Sequence, residues 1–425
     1  MPGRYLPRIV DDELSGLLAG LPAIALEGPK GVGKTESALR RAKTVYRLDD
    51  PNIQAVGSAD PALLLSGNPP VLLDEWQRLP SVWDAVRRAV DRDRTPGRFI
   101  LTGSAAPGSP PTHSGAGRIV TLRLRPMTLP ERQIEQPTVS LRELLAGGKP
   151  PVGGHSDVDL GRYVEEILAS GFPGLRDLSV RHLELQLDGY LARIVDTDFP
   201  ELGQTVRRPQ TLRRWMTAYA AATATTASYE TIRDAATGGE ADKPARTTTI
   251  PYRDVLERLW ILDPVPAWVP TRNTLKRLAQ PPKHQLADPA LAARLLGATR
   301  DSLLRGESPT ARAPRDGTLL GGLFESLVTL GLRVFAQAAD ASLGHLRTRG
   351  GRHEIDLVVE RRDQRVVAVE VKLSSAIADD DVRHLSWLRE QLGRDFLDGV
   401  VINTGSHAYR RKDGIAVVPA ALLGP

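Results

Sequence analysis

Ala23-Ile24-Ala25-Leu26-Glu27-Gly28-Pro29-Lys30-Gly31-Val32-Gly33-Lys34-Thr35-Glu36 runs from an apolar stretch through a glycine-rich turn into residues of helical pattern. A buried strand before the turn and a helix after it give the spacing and the context of a phosphate-cradling P-loop, and they predict an α/β domain on a parallel sheet. Glycines at 28, 31 and 33 let successive backbone N–H groups turn inward, and the helix beginning near Lys34 adds the positive end of its dipole. Gly28, Pro29, Lys30, Gly31, Val32, Gly33, Lys34, Thr35 and Glu36 are therefore the expected contacts of ATP or GTP. Lys34 is expected to reach the β- and γ-phosphates, and the Thr35 hydroxyl to hold Mg2+.

About forty residues on, Val71-Leu72-Leu73-Asp74-Glu75 is a short apolar run ending in two acids. That is the form of a buried parallel strand whose carboxylates emerge at its carboxyl end, where open α/β sheets bind ligands. Asp74 is expected to support the metal through its water shell, and Glu75 to polarise the water that attacks the γ-phosphorus. Arg98-Phe99-Ile100-Leu101-Thr102-Gly103-Ser104 reads as a further core strand. Its Thr102 or Ser104 either contacts the γ-phosphate or serves as a satisfied turn hydroxyl. Arg118 is a candidate to stabilise γ-phosphate charge, within the chain or across a homo-oligomer interface, against the alternative of a solvated surface arginine.

The chain has 425 residues, 56 basic and 51 acidic, for a net charge of +5. Such a balance is compatible with nucleic acid but too mild to require it. With no cysteine, disulfides, thiolate catalysis and cysteine-ligated metals are excluded. The first residues lack the apolar core of a signal peptide, and no stretch is expected to approach the roughly 18 apolar residues of a membrane span. The expectation is a soluble cytoplasmic protein with no membrane partner. About 150 residues per domain suggests roughly three domains, drawn as 1–145, 157–300 and 310–425 with the Gly/Pro-rich Leu145 to Ser156 as a boundary.

From Leu160 to about Val265 the pattern turns helical. Tyr252, Val255, Leu256 and Leu259 recur at i, i+3, i+4 and i+7, one stripe on one helix face. A helix-like Ser228 to Ala236 and the loop 238–244 precede it, and Trp260 to Trp268 resembles the wing strand of a winged helix-turn-helix. In that arrangement Thr247, Thr248, Thr249 and Arg253 start the helix that enters a groove of double-stranded DNA, and Arg246, Arg272, Lys276 and Arg277 meet phosphates. The alternative is a winged helix used for packing or for a protein partner.

The C-terminal part holds another constellation. His353 to Glu360 and Arg365 to Leu373 are alternating runs that read as a hairpin. Glu370 and Lys372 share a face, and an odd turn such as Arg362-Asp363-Gln364 sets Asp356 opposite Glu370. Upstream, Leu319, Leu320, Leu323, Phe324, Leu327 and Leu330 define an amphipathic helix carrying Glu325. An acid on a helix, then Asp, then Glu-x-Lys on a hairpin is the layout of the PD-(D/E)xK nuclease core, in which carboxylates hold a divalent metal and the lysine orients water. The alternative readings are a solvated charged face, or a nuclease fold kept for binding alone.

Taken together, Tyr5-Leu6-Pro7-Arg8, the glycine-rich loop, Leu73-Asp74-Glu75, Leu101-Thr102-Gly103-Ser104, Leu124-Arg125-Pro126-Met127-Thr128-Leu129, Gly171-Phe172-Pro173-Gly174, Tyr190 to Asp196 and Lys283-His284-Gln285-Leu286-Ala287-Asp288-Pro289 resemble the bacterial and archaeal AAA+-type ATPases that carry a C-terminal domain of unknown function. The resemblance implies an AAA+ core, a winged-helix middle and a restriction-endonuclease-like end, with ATP and Mg2+ as ligands. It also implies nuclease-like roles for Glu325, Asp356, Glu370 and Lys372. The insertion Ala106 to Gly117 departs from the pattern just before Arg118.

Overall fold

The apolar run before the glycine-rich turn forms β1 (Ala23–Glu27), buried over its first four residues. In the computed structural model, which describes residues 5–104, 114–204, 206, 208–237, 244–270, 280–305, 318–348 and 350–425, four further strands join it. They are β2 (Thr44–Arg47), β3 (Val71–Asp74), β4 (Phe99–Gly103) and β5 (Val120–Arg123), in the order β2-β3-β4-β1-β5. Every neighbouring pair is parallel. Strands covered on both faces read as continuous apolar runs, which is why β1, β3 and β4 show no alternation. Because all five run the same way, their carboxyl ends share one edge, with Glu27 beside Gly103 and Arg123, and Asp74 beside Thr102.

The chain then leaves two short strands, β6 (Val139–Ser140) and β7 (Gly154–His155), before a run of helices. Beyond these come β8 (Ser342–Arg347), β9 (Glu354–Glu360), β10 (Val366–Val371), β11 (Phe396–Asn403), β12 (His407–Arg410), β13 (Ala416–Pro419) and β14 (Leu423–Gly424). The second sheet has the order β7-β12-β13-β11-β10-β9-β8. It is mixed: β8, β9 and β10 form an antiparallel meander, while β10, β11 and β13 are parallel. The Gly/Pro-rich stretch between residues 145 and 156 lies against this sheet. β7 pairs with β12 and β6 with β14, while Arg361 and Arg410 donate to the carbonyls of Leu145 and Pro150 at 2.8 and 2.9 Å.

The middle is helical, as its period dictates: Leu160–Leu168, Val180–Arg193, a π-helical turn Ile194–Asp198, then Pro209–Ala221, Tyr229–Ala235 and Arg246–Arg258. Tyr252, Val255, Leu256 and Leu259 are all buried, so the stripe is the packing face of its helix. After it, Leu262 and Val265 bridge antiparallel to Leu286 and Lys283, and Ala267 bridges to His345 of β8. Residues 238–243, Arg272, Lys276, Arg277 and 106–113 of the insertion lie outside the described residues.

One correction concerns apolar length. The helix Thr318–Ala338 has 21 residues, and its Leu319–Ala338 stretch reaches a mean hydropathy of 1.5, enough by length and composition to cross a membrane. The stretch is 67% buried within the protein, packing as a core helix. A contiguous apolar cluster links Leu26, Tyr163, Trp215, Phe324 and Val418, so the first sheet, the helices and the second sheet share one core.

Candidate functional site

At the carboxyl edge of the first sheet the loop after β1 curls back toward β5. A Cβ on Gly28 would lie 2.1 Å from the carbonyl oxygen of Leu124, so no side chain fits there. Gly33, at φ 100°, turns the chain into the helix Lys34–Leu39 in a region L side chains avoid. From the first turn of that helix the Thr35 hydroxyl donates to Asp74 Oδ1 at 2.8 Å. Thr102, in register on β4, donates to the same oxygen. These are hard oxygen donors of the kind Mg2+ takes, and they stand beside a loop whose glycines leave its backbone N–H groups free of side chains, so the residue types fit a metal–nucleotide ligand.

Lys34 is 4% exposed and donates to the carbonyls of Gly28 and Pro29 at 2.9 and 2.8 Å. Its partners are neutral, and burial pushes its pKa down to about 8. Glu75 has left-handed backbone (φ 56°), which swings its carboxylate off the strand line. Gln77 Nε2 donates to one of its oxygens, and Ser104 Oγ lies 3.4 Å from the other.

Further contacts fasten the loop to the rest of the chain. Lys30 Nζ pairs with Asp198 at 2.6 Å and Glu201 at 3.4 Å, and the Tyr190 hydroxyl donates to the Lys30 carbonyl at 3.2 Å. The Lys30 side chain thus turns to the π-helical turn, leaving its backbone in the loop. The buried Arg8 donates to the carbonyls of Val32 and Arg125 at 2.9 and 2.6 Å and pairs with Glu131 at 3.0 Å. Pro29 and Val32 are buried and the Glu36 side chain is exposed. Arg8 and Tyr190 lie in stretches that carried the family resemblance, the one signal that marked them; nothing in the spacing marked Gln77 or Asp198.

Arg118 is not brought to this edge. It precedes β5 and so lies at the amino end of a parallel sheet whose phosphate site is at the carboxyl end, where its guanidinium pairs with Asp91 at 2.8 Å. Its expected contact with the γ-phosphate within the chain is corrected on that geometry.

Two further charge clusters join the regions. Asp263 receives Arg123, Arg125 and Arg333 at 3.1, 3.0 and 2.9 Å. Burial alone would raise its carboxyl pKa; the three guanidiniums, Arg333 foremost, hold it well below the usual range. The other cluster is C-terminal. The β9–β10 register pairs Val369 with Leu357 and closes over Arg362-Asp363-Gln364 with an Arg361 N–H to Arg365 carbonyl bond of 2.9 Å. Extended one step, it sets Asp356 across from Glu370.

Glu325, Asp356, Glu370 and Lys372 do converge there. Lys372 Nζ lies 3.4 Å from Glu370, and the Val371 N–H donates to Asp356 Oδ2 at 2.9 Å. Lys283, which the sequence marks only as part of a stretch that resembles the family, joins this cluster. Its ammonium donates to Glu325 Oε1 at 2.8 Å and to Asp356 Oδ1 at 3.2 Å. Burial and the neighbouring Asp356 push the Glu325 carboxyl up to about 8 and Glu370 well above its ordinary value. Against a burial that would lower it, Asp356 and Glu325 hold Lys283 firmly charged. Among the described residues no group of three or more His, Asp or Glu side chains is arranged to hold a metal ion. The expected metal set of Glu325, Asp356 and Glu370 is therefore corrected: a cation of the protein's own lies between two of its members.

Residues 21–133 match the model of an AAA domain family, and residues 160–302 and 320–423 match two families described as domains of unknown function. Uncharacterized proteins of Mycobacterium tuberculosis and Mycobacterium bovis are each 26% identical over 407 residues, covering 94% of this chain and 80% of theirs. A Walker-type ATPase of Pyrococcus abyssi is similar at a TM-score of 0.38 and 16% identity, over 68% of this chain and 96% of that one. The N-terminal region is thus a P-loop domain of the AAA ATPase type in a mixed α/β chain.

Proposed function

We propose that this protein binds ATP with Mg2+ at the loop Gly28–Thr35 and hydrolyses it, using the turnover to alter how the helical middle and C-terminal regions hold double-stranded DNA. The observation that carries the reading is the junction of Thr35 and Asp74 at 2.8 Å beneath a glycine cradle. Bound there, Mg2+ would neutralise phosphate charge. Lys34 already lies over the loop on neutral carbonyl partners, and a phosphate anion is a stronger partner than a carbonyl. Glu75, at the strand tip beside Ser104, is the group available to accept a proton from the attacking water.

The DNA component is supported by a cavity of about 410 Å³ in the helical middle, lined by Arg233, Arg246 and Arg253 together with Trp215, Tyr229 and Thr249. The arginines suit phosphate contacts, and Tyr229 is the partly exposed aromatic at this opening, Trp215 being buried as its floor. The helices Tyr229–Ala235 and Arg246–Arg258, followed by the bridged 262–286 segments, have the order expected of a winged helix.

A second reading, a nucleotide-gated DNA binder with little hydrolysis, is favoured by one feature: Glu75 is engaged by Gln77. Titration with ATP and Mg2+, followed by turnover with and without duplex DNA, tests both. The expected result is uptake, weakened about 10–100-fold in Lys34→Ala, with DNA-stimulated turnover that Arg246→Ala/Arg253→Ala loses. Uptake without turnover in a single-turnover assay would favour the second reading, and no uptake of adenine nucleotide would overturn both.

A further inference from the structure

The C-terminal acidic cluster has the residue types of a metal-dependent nuclease, so what lies between its carboxylates decides what it can do. Divalent ions need several oxygens converging on one point, and two of the three carboxylates here converge on Lys283 Nζ. The Lys283 side chain is 1% exposed, so it is no surface lysine that happened to fold inward. Its backbone is fixed as well: Lys283 and Val265 exchange both N–H to carbonyl bonds, at 2.9 and 2.8 Å, and the next residue is bonded to Ala224 and Thr225, each at 2.8 Å. Five residues on, Asp288 is held by Ser170 Oγ at 3.0 Å and the Gly171 N–H at 2.6 Å. The ammonium is therefore delivered by a stretch anchored at both ends.

We propose that Lys283 is the resident cation of this cluster, standing where the nuclease-like layout would hold a divalent metal, so that the chain neither binds such an ion at Glu325, Asp356 and Glu370 nor cleaves phosphodiesters there. An incoming ion would have to displace a like charge already paired to both carboxylates. Lys372, paired with Glu370, is then a charge partner of the cluster and orients no metal-bound water. The inference depends on the geometry around Lys283 and is independent of nucleotide binding.

The test is Mn2+ binding, read by electron paramagnetic resonance on the nucleotide-free full chain, in the wild type, Asp356→Asn, Lys283→Ala and Lys283→Ala/Asp356→Asn. The wild type is expected to have no Mn2+ site that Asp356→Asn removes. Lys283→Ala is expected to gain one, at least about tenfold tighter than any wild-type binding, which the double variant loses. Lys283→Met keeps the packing of the stem and takes the place of the alanine variant should that fail to fold. A wild-type site abolished by Asp356→Asn would overturn the inference, and that measurement needs no Lys283 variant. A folded Lys283 variant that gains no site would overturn it equally, as would Mn2+-dependent duplex cleavage by the wild type that Asp356→Asn loses.

Discussion

Lys34 and Lys283 are both buried lysines beside acidic side chains, yet they are held in opposite ways. Lys34 donates to two backbone carbonyls, and burial pushes its pKa down to about 8. Lys283 donates to two carboxylates, which hold its charge firmly. A lysine on neutral partners gains by meeting an anion; one already between carboxylates has met its own. The contrast separates a site built to receive a ligand from a cluster completed within the chain, although the two share most of their residue types.

The largest effect is expected where the first site does chemistry. Glu75→Gln should bind ATP as the wild type does but turn over about 10²–10⁴-fold more slowly; steady-state hydrolysis that persists would remove Glu75 as the proton acceptor. Next comes the internal pair. Lys283→Ala strands two buried carboxylates and should cost about 3–5 kcal/mol in urea unfolding, whereas Lys283→Met/Glu325→Gln, which removes charge from both sides, should recover most of it. Equal losses in the two variants would mean that packing, not charge, holds the cluster. Gly28→Ala sets a methyl group against the Leu124 carbonyl and should lose about 1–3 kcal/mol of stability together with nucleotide uptake. The smallest effect is expected of Arg118→Ala. Its partner Asp91 lies in the last turn of the helix Ser81–Arg92 that leads to the amino end of β4, so turnover by the isolated chain should be unchanged, and a large drop would point to a second copy that brings this arginine to the site.

What could be read in the sequence was local. The glycine-rich loop, the acids ending β3 and the three-residue turn that sets the β9–β10 register each lie within a few residues, where spacing fixes geometry. Asp356 and Glu370 were therefore legible as a facing pair. Lys283 was not, because it reaches Glu325 and Asp356 only after the chain has crossed from the helical middle to the second sheet, and no period or spacing encodes that crossing. Arg118 was not legible for a different reason: β5 is exposed at its first two residues and has no apolar run, so nothing in the sequence marks residue 118 as standing just before a strand of the sheet.

The pairing of β6 with β14 bears on how this molecule is made. Ser140 Oγ donates to the carbonyl of Pro425, 285 positions away, at 2.5 Å. A contact of that span lowers the speed of folding, because the freedom of the long chain between its ends is given up before the connection is gained. Fragments severed near residue 150 would leave raw strand edges on both pieces, prone to sticking to one another or to neighbours.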